Sequence, residues 1–212
     1  ADGKLKVNDE EIECDAVINL SWRKAVMPPT EIDIAMEDGF VKVDEFFKTN
    51  VPSIFAVGDM NGILKVAHAA SIQGLNVVNQ IKGIPDKVDF SRNPINMYTY
   101  PEMAQIGKTE NQLKAEGVEY KISDFPLTGN GKALTEGYTD GMVRILSETK
   151  YGEVVGTQII SLNATDMIAE AAAVMELEGT VYDVAKIVHA HPTTSEIFLE
   201  AFYDAFYIPI HN

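Results

Sequence analysis

Between Gly83 and Asn96 the chain runs GIPDKVDFSRNPIN, a stretch of turn formers holding Pro85 and Pro94. Proline removes a backbone donor and biases the residue before it away from the helix. No long helix or central strand is therefore expected across this segment, and it is the best domain boundary in the chain. The part beyond it reads as strands followed by helices, the order of an α+β domain. INMYTY (95–100), VEYKISDF (118–125), MVRILSE (142–148) and GEVVGTQII (152–160) have strand composition. TENQLKAEG (109–117) reads as a helix with Thr109 as N-cap and Gly117 as C-cap. YTDGMVR and ETKYGEVV read as hairpin turns. After Ile160 a helix capped by Asn163 or Thr165 should run to Leu177 and close at Gly179. Thr180 with Asp183 starts another over about 181–188. A third begins near Thr193 and carries Ile197, Phe198, Ala201, Phe202 and Ala205 on one face.

The part before the boundary is patterned differently. KLKV (4–7) and AVINL (16–20) look like a hairpin joined through NDEEIE, and FVKVDEFF (40–47) holds a short strand. SIFAV (53–57) is a compact apolar run between Pro52 and Gly58, as expected of a buried parallel strand. Residues 66–82 read as a helix on the spacing of Ala67, Ala70, Leu75, Val78 and Ile81.

Composition narrows the partners. The formal net charge of −15 opposes binding to nucleic acid or to anionic membrane surfaces. The hydrophobic fraction of 46% is enough for a real core, yet no run is long and apolar enough to span a membrane. The one cysteine, Cys14, cannot build an internal disulfide and reads as a small core residue near a strand start. Nothing points to secretion, so a cytoplasmic protein is expected. The start ADGKLKV lacks an initiator Met and suggests a piece of a longer protein.

HAHPTTSE (189–196) admits three readings. Thr193 through Glu196 matches the capping box, with the Thr193 hydroxyl and the Glu196 carboxylate each taking a backbone N–H. His189 and His191 could share a face and bind a metal, but zinc wants three or four ligands and no further cluster accompanies them. The third reading is a base and its orienter: neutral His191 takes a proton while Glu196, brought back by the turn, fixes its tautomer. Spacing alone leaves all three open.

Several stretches together resemble the flavin-dependent pyridine-nucleotide disulfide oxidoreductases, and within them the dihydrolipoamide dehydrogenases. HAHPTTSE resembles their C-terminal signature, and TNVPSIFAVGD (49–59) their second FAD fingerprint. MYTYPEMAQIGKTENQLKAEG (97–117) and GTQIISLNATDMIAEAAAVME (156–176) resemble parts of their dimerisation domain. The similarity runs from about residue 12 to 206. It implies that His191 is the catalytic base and Glu196 its partner. Together they would act across a homodimer interface on the partner's flavin site. It implies that Asp59 binds the FAD ribityl chain and that Val66, Ala67 and His68 lie near the flavin pyrimidine edge. The implied cofactors are FAD and NAD, and the implied substrate is dihydrolipoamide on an acyltransferase lipoyl domain. A dihydrolipoyl acyltransferase's subunit-binding domain would be a further partner.

The implied organisation is a tail of an NAD-binding domain (1–24), the last part of an α/β FAD-binding domain (25–90) and a complete dimerisation domain (91–212). The chain departs from the family in having no Gly-rich FAD or NAD loop and no C-x₄-C pair. In SWRKAVMPP (21–29), Trp22 replaces an expected residue, and Tyr100 stands where lipoamide enzymes commonly have His. A non-enzymatic dimerisation or docking module is the alternative, as is a glutathione-reductase-like enzyme.

Overall fold

The computed structural model describes residues 3–21, 23–84, 87–206 and 209–211. Trp22 lies outside them, as do Pro85 and Asp86 of the turn-rich segment. The chain forms two compact units, Ala1–Val88 and Asp89–Asn212.

The second unit is built on a five-stranded sheet. Its strands are β5 (Ile95–Met97), β6 (Glu102–Gly107), β7 (Tyr120–Pro126), β8 (Met142–Glu148) and β9 (Val154–Ser161), in the order β5-β6-β9-β8-β7. Every neighbouring pair is antiparallel. The expected α+β architecture is present. Strand β6 goes beyond the expectation, which had placed one strand at 95–100. Its alternation is carried only by buried Ala104 and Ile106 between polar or half-exposed neighbours, a weak signal for a central strand. Helices α4 (Ala164–Glu176) and α6 (Glu196–Asp204) pack on the sheet, α4 against β6 and β9, α6 against β7 and β8. Ile106, Val143, Ile145, Ile159, Phe198 and Phe202 are at most 1% exposed and form the centre of this core.

Helix α2 (Glu110–Glu116) has the full capping box between Thr109 and Gln112, and Gly117 closes it in the left-handed region at φ 69°. The ETKYGEVV turn joins β8 to β9, and the Glu148 carboxylate accepts the N–H groups of Lys150, Tyr151 and Glu153. YTDGMVR is not a hairpin turn. The chain goes from β7 to β8 through helix α3 (Gly131–Glu136), N-capped by Asn130 and ended by Gly137. Helix α5 (Val181–Val184) starts at the Thr180–Asp183 capping box but stops well short of residue 188. The residues after it leave the helix to carry the histidine segment.

The first unit holds two small hairpins and one helix. Strand β1 (Lys4–Val7) pairs with β2 (Glu10–Glu13), not with residues 16–20. Asn8 takes φ 55° and closes the chain tightly, so EEIE is the nearer partner. Residues 16–20 form no ladder, and Ile18 and Leu20 are exposed. Cys14 follows β2 rather than preceding a strand, and is half-buried. Strands β3 (Met36–Glu37) and β4 (Phe40–Val41) form the second hairpin. SIFAV is not a parallel strand here. Its one bridge joins Phe55 to Lys48, antiparallel, and a ladder needs more partner backbone than the described residues supply. Helix α1 (Ala67–Ile81) lies where expected with a different face inward. Leu75, Val78 and Ile81 are exposed, whereas Ala69, Gln73 and Asn76 are buried. Polar side chains turn inward because the loops beside them need partners. Gln73 Oε1 accepts from the Gly58 N–H and from Asn61, and Gln80 donates to the Phe46 carbonyl.

Gly107 ends β6 at φ 73°, where any Cβ would collide with the Val155 carbonyl oxygen and the Met175 methyl. Gly107→Ala is expected to destabilise the second unit by about 2 kcal/mol or more, from backbone strain and overpacking. Thermal unfolding measures it, and an unchanged midpoint would contradict this account of the β6 end.

Candidate functional site

The histidine segment enters α6 through an incomplete capping box. Glu196 Oε2 accepts the Thr193 N–H at 2.8 Å, as the box requires. The Thr193 hydroxyl instead donates to the Ala190 carbonyl at 2.7 Å. The second carboxylate oxygen, Oε1, lies 2.9 Å from His191 Nδ1. Capping and orientation are therefore two jobs of one carboxylate. An ionised carboxylate only accepts, so in the neutral ring the proton sits on Nδ1 and the Nε2 lone pair is left open. The His191 ring is 77% exposed, while Glu196 is 24% exposed. Burial works to raise the Glu196 carboxyl, but the Thr193 N–H and the His191 ring hold it below its ordinary value, with His211 adding to the effect. A cleft of about 260 Å³ opens here, lined by His191, Glu196, Glu200, His211, Asn130 and Leu134 among others.

Three supporting residues escaped the sequence reading. Asn130 caps α3 by accepting the Ala133 N–H, and its amide nitrogen donates to the Thr193 carbonyl at 3.1 Å. Its cap signal was legible, but its bond to residue 193 is long-range. Glu200, 5% exposed, accepts the Ile210 and His211 N–H groups and pairs with His211 Nδ1 at 2.6 Å. A glutamate on the inner face of an apolar helix was the available signal. Glu170, on α4, takes His189 Nε2 at 2.8 Å. The two histidines of HAHPTTSE thus go to different carboxylates. Among the described residues no group of three or more His, Cys, Asp or Glu side chains could hold a metal ion.

Asp59, Val66, Ala67 and His68 all lie in the first unit, at one short turn and one helix start. Asp59 sits in a turn of 3₁₀ helix (Gly58–Met60), with its carboxylate 3.3 Å from Arg23 Nη1. The Arg23 guanidinium also donates to the Lys65 carbonyl. Gly58 has φ 74°, and a Cβ there would press on Ala70 at 3.2 Å, so this turn is close-packed against α1. Val66 precedes α1 with no side-chain cap, and no acidic residue stands in the first turn. The positive end of the helix dipole at such a start favours a partly anionic group. Gln73 Nε2 is buried and finds no acceptor among the described residues. A carboxylate and a helix N-terminus with no side-chain cap are groups of the kind that meet the hydroxyls and the ring edge of a flavin nucleotide.

Residues 93–202 match the family model described as the pyridine nucleotide-disulphide oxidoreductase dimerisation domain, and residues 2–74 match that of pyridine nucleotide-disulphide oxidoreductase. The chain belongs to the pyridine nucleotide-disulphide oxidoreductases. Among curated relatives it is 42% identical to the dihydrolipoyl dehydrogenase of Cupriavidus necator, over 79% of this chain and 35% of that protein. It is 41% identical to the mitochondrial dihydrolipoyl dehydrogenase of Caenorhabditis elegans, over 94% of this chain and 40% of that one. The chain therefore spans about two fifths of the length of these relatives. The crystal structure of LpdA from Mycobacterium tuberculosis superposes with a TM-score of 0.77 at 25% identity, covering 81% of this chain and 38% of that one. The HOCl-induced flavoprotein disulfide reductase RclA of Escherichia coli shares the fold, with a TM-score of 0.87 at 19% identity over 94% of this chain and 47% of that one. No helix among the described residues is long and apolar enough to cross a membrane.

A carboxyl held below its ordinary value of 4.5 contributes stability that is complete above that value and lost as pH falls through the folded one. Glu196→Gln should accordingly flatten the acid side of the unfolding midpoint plotted against pH, below about 4.5. Superimposable acid limbs for the two proteins would show that the carboxylate makes no such contacts in solution.

Proposed function

We propose that this chain is the C-terminal part of a dihydrolipoamide dehydrogenase, with His191 as the base and Glu196 as the group that orients it. The observation that carries the reading is the 2.9 Å contact between His191 Nδ1 and Glu196 Oε1, beside a cleft that both residues line. Nε2 takes the proton of a substrate thiol, and Glu196 stabilises the imidazolium that results. The thiolate, a far better nucleophile than the thiol, attacks one sulfur of a redox disulfide and expels the other as thiolate. The second substrate thiol then closes the product disulfide and leaves the redox pair reduced. FAD and NAD⁺ would carry the two electrons onward.

Residues 1–24 would belong to the NAD-binding domain, 25–90 to the FAD-binding domain and 91–212 to the dimerisation domain. Asp59 would accept from the ribityl hydroxyls, and Val66, Ala67 and His68 would place the α1 N-terminus at the pyrimidine edge. The working form would be a homodimer in which the base of one protomer serves the flavin site of the other. Its substrate would be presented on an acyltransferase lipoyl domain, and the subunit-binding domain of that acyltransferase would dock on the dimer. A single thiol fits a reducing, cytoplasmic setting, while relatives named mitochondrial fit a mitochondrial one. Its one cysteine cannot supply a redox disulfide, so the chain by itself would be inactive and serve as a dimerisation module.

In the full-length enzyme His191→Gln should cut dihydrolipoamide turnover by about two orders of magnitude or more, the usual cost of losing a general base. Near-normal turnover would remove His191 from the mechanism. Faster reduction of glutathione disulfide than of lipoamide would assign the chain to the glutathione-reductase-like branch instead.

A further inference from the structure

Between Ala185 and Ser195 the chain that carries His191 has no helix or strand of its own. Its backbone makes few ladder bonds, so its position must be set by side chains. Val188 is 94% exposed and contributes no packing. One ring of the segment faces inward, that of His189, whose side chain is 5% exposed. Its Nε2 lies 2.8 Å from Glu170 Oε1, a half-buried carboxylate on α4. Helix α4 is long and packed on β6 and β9, so Glu170 is a fixed point. Downstream of His191, Thr193 is held by the Asn130 amide on its carbonyl and by Glu196 on its N–H. These ties stand on either side of His191.

We propose that His189 is a positioning residue: its bond to Glu170 fixes the segment upstream of His191, as Asn130 fixes it downstream, and so holds the His191 ring within reach of Glu196. The inference rests on the reading of His191 and Glu196 as a working pair. An irregular segment tied at one end samples many backbone states, each costing the pair its alignment. Tied at both ends, the ring is held to the fraction of an ångström that proton transfer requires. Glu170 on α4 favours the charged form of the His189 ring most, burial opposes it, and the Ile187 carbonyl and Glu196 on α6 add to the favourable side. Packing alone does not account for the residue, since an apolar ring would fill the same space without pairing to a carboxylate that is itself 26% exposed.

The test is the ring ¹⁵N spectrum of the full 212-residue chain, whose four histidines are assigned by replacing each in turn. The wild type, Glu170→Ala, Glu170→Gln and His189→Gln are compared. In the wild type His191 should show the proton on Nδ1. Glu170→Ala removes the tie at a partly exposed helical site where alanine favours the helix, so folding is preserved. In that variant His191 should lose its Nδ1–H signature and shift to the Nε2–H form that an unrestrained ring prefers. Glu170→Gln and His189→Gln each keep a hydrogen-bonding pair between the two positions, and should retain the wild-type signature. An intact Nδ1–H signature in Glu170→Ala would overturn the positioning role while leaving the His191–Glu196 pair standing. Absence of that signature in the wild type would overturn the pair itself and the positioning role with it.

Discussion

One carboxylate organises this site. Glu196 is the first residue of α6, where the helix dipole favours negative charge. One of its oxygens takes the Thr193 N–H, which fixes how the chain enters the helix. The same charge then fixes the tautomer of His191. A hydrogen bond to a charged group contributes roughly 1.5–3 kcal/mol, about twice a neutral one. The contact that starts the helix and the contact that orients the His191 ring cannot be separated without moving the helix.

The rest of the second unit gives that carboxylate a rigid mount. The inner face of α6 is Ile197, Phe198, Ala201 and Phe202, all at most 1% exposed against the sheet. A core packed to this degree allows the first residue of the helix little travel. Helix α3, reached through Asn130, and helix α4, reached through Glu170, approach the histidine segment from separate elements. The His191 ring is thus the exposed tip of a loop held by buried and half-buried side chains, the arrangement that gives an accessible ring a defined direction.

Local signals were legible in the sequence, and long-range ones were not. The Thr109 N-cap, the Thr180–Asp183 capping box and the apolar face of α6 were readable because each is complete within a few residues. So was the Thr193–Glu196 spacing, though it could not say which group the carboxylate would serve; the structure shows it serving two. Strand β6 was missed because its inward positions include only a small alanine and one isoleucine. The β1 partner was misassigned because apolar content favoured AVINL, whereas a two-residue turn at Asn8 favours the charged EEIE. Helix α1 misled for a related reason: Gln73 and Asn76 are inside because loop backbone needs them. The His189–Glu170 and Asn130–Thr193 contacts join residues far apart in sequence, and no periodicity announces them.

The central claim is that His191 and Glu196 act as one unit. A double-mutant cycle on dihydrolipoamide turnover in the full-length enzyme tests it directly, with His191→Gln, Glu196→Gln and the double variant. If the carboxylate works only through the ring, the double variant should be no slower than His191→Gln alone, because residues acting as a unit are strongly non-additive. Losses that multiply in the double variant would show two independent contributions, and would contradict the account.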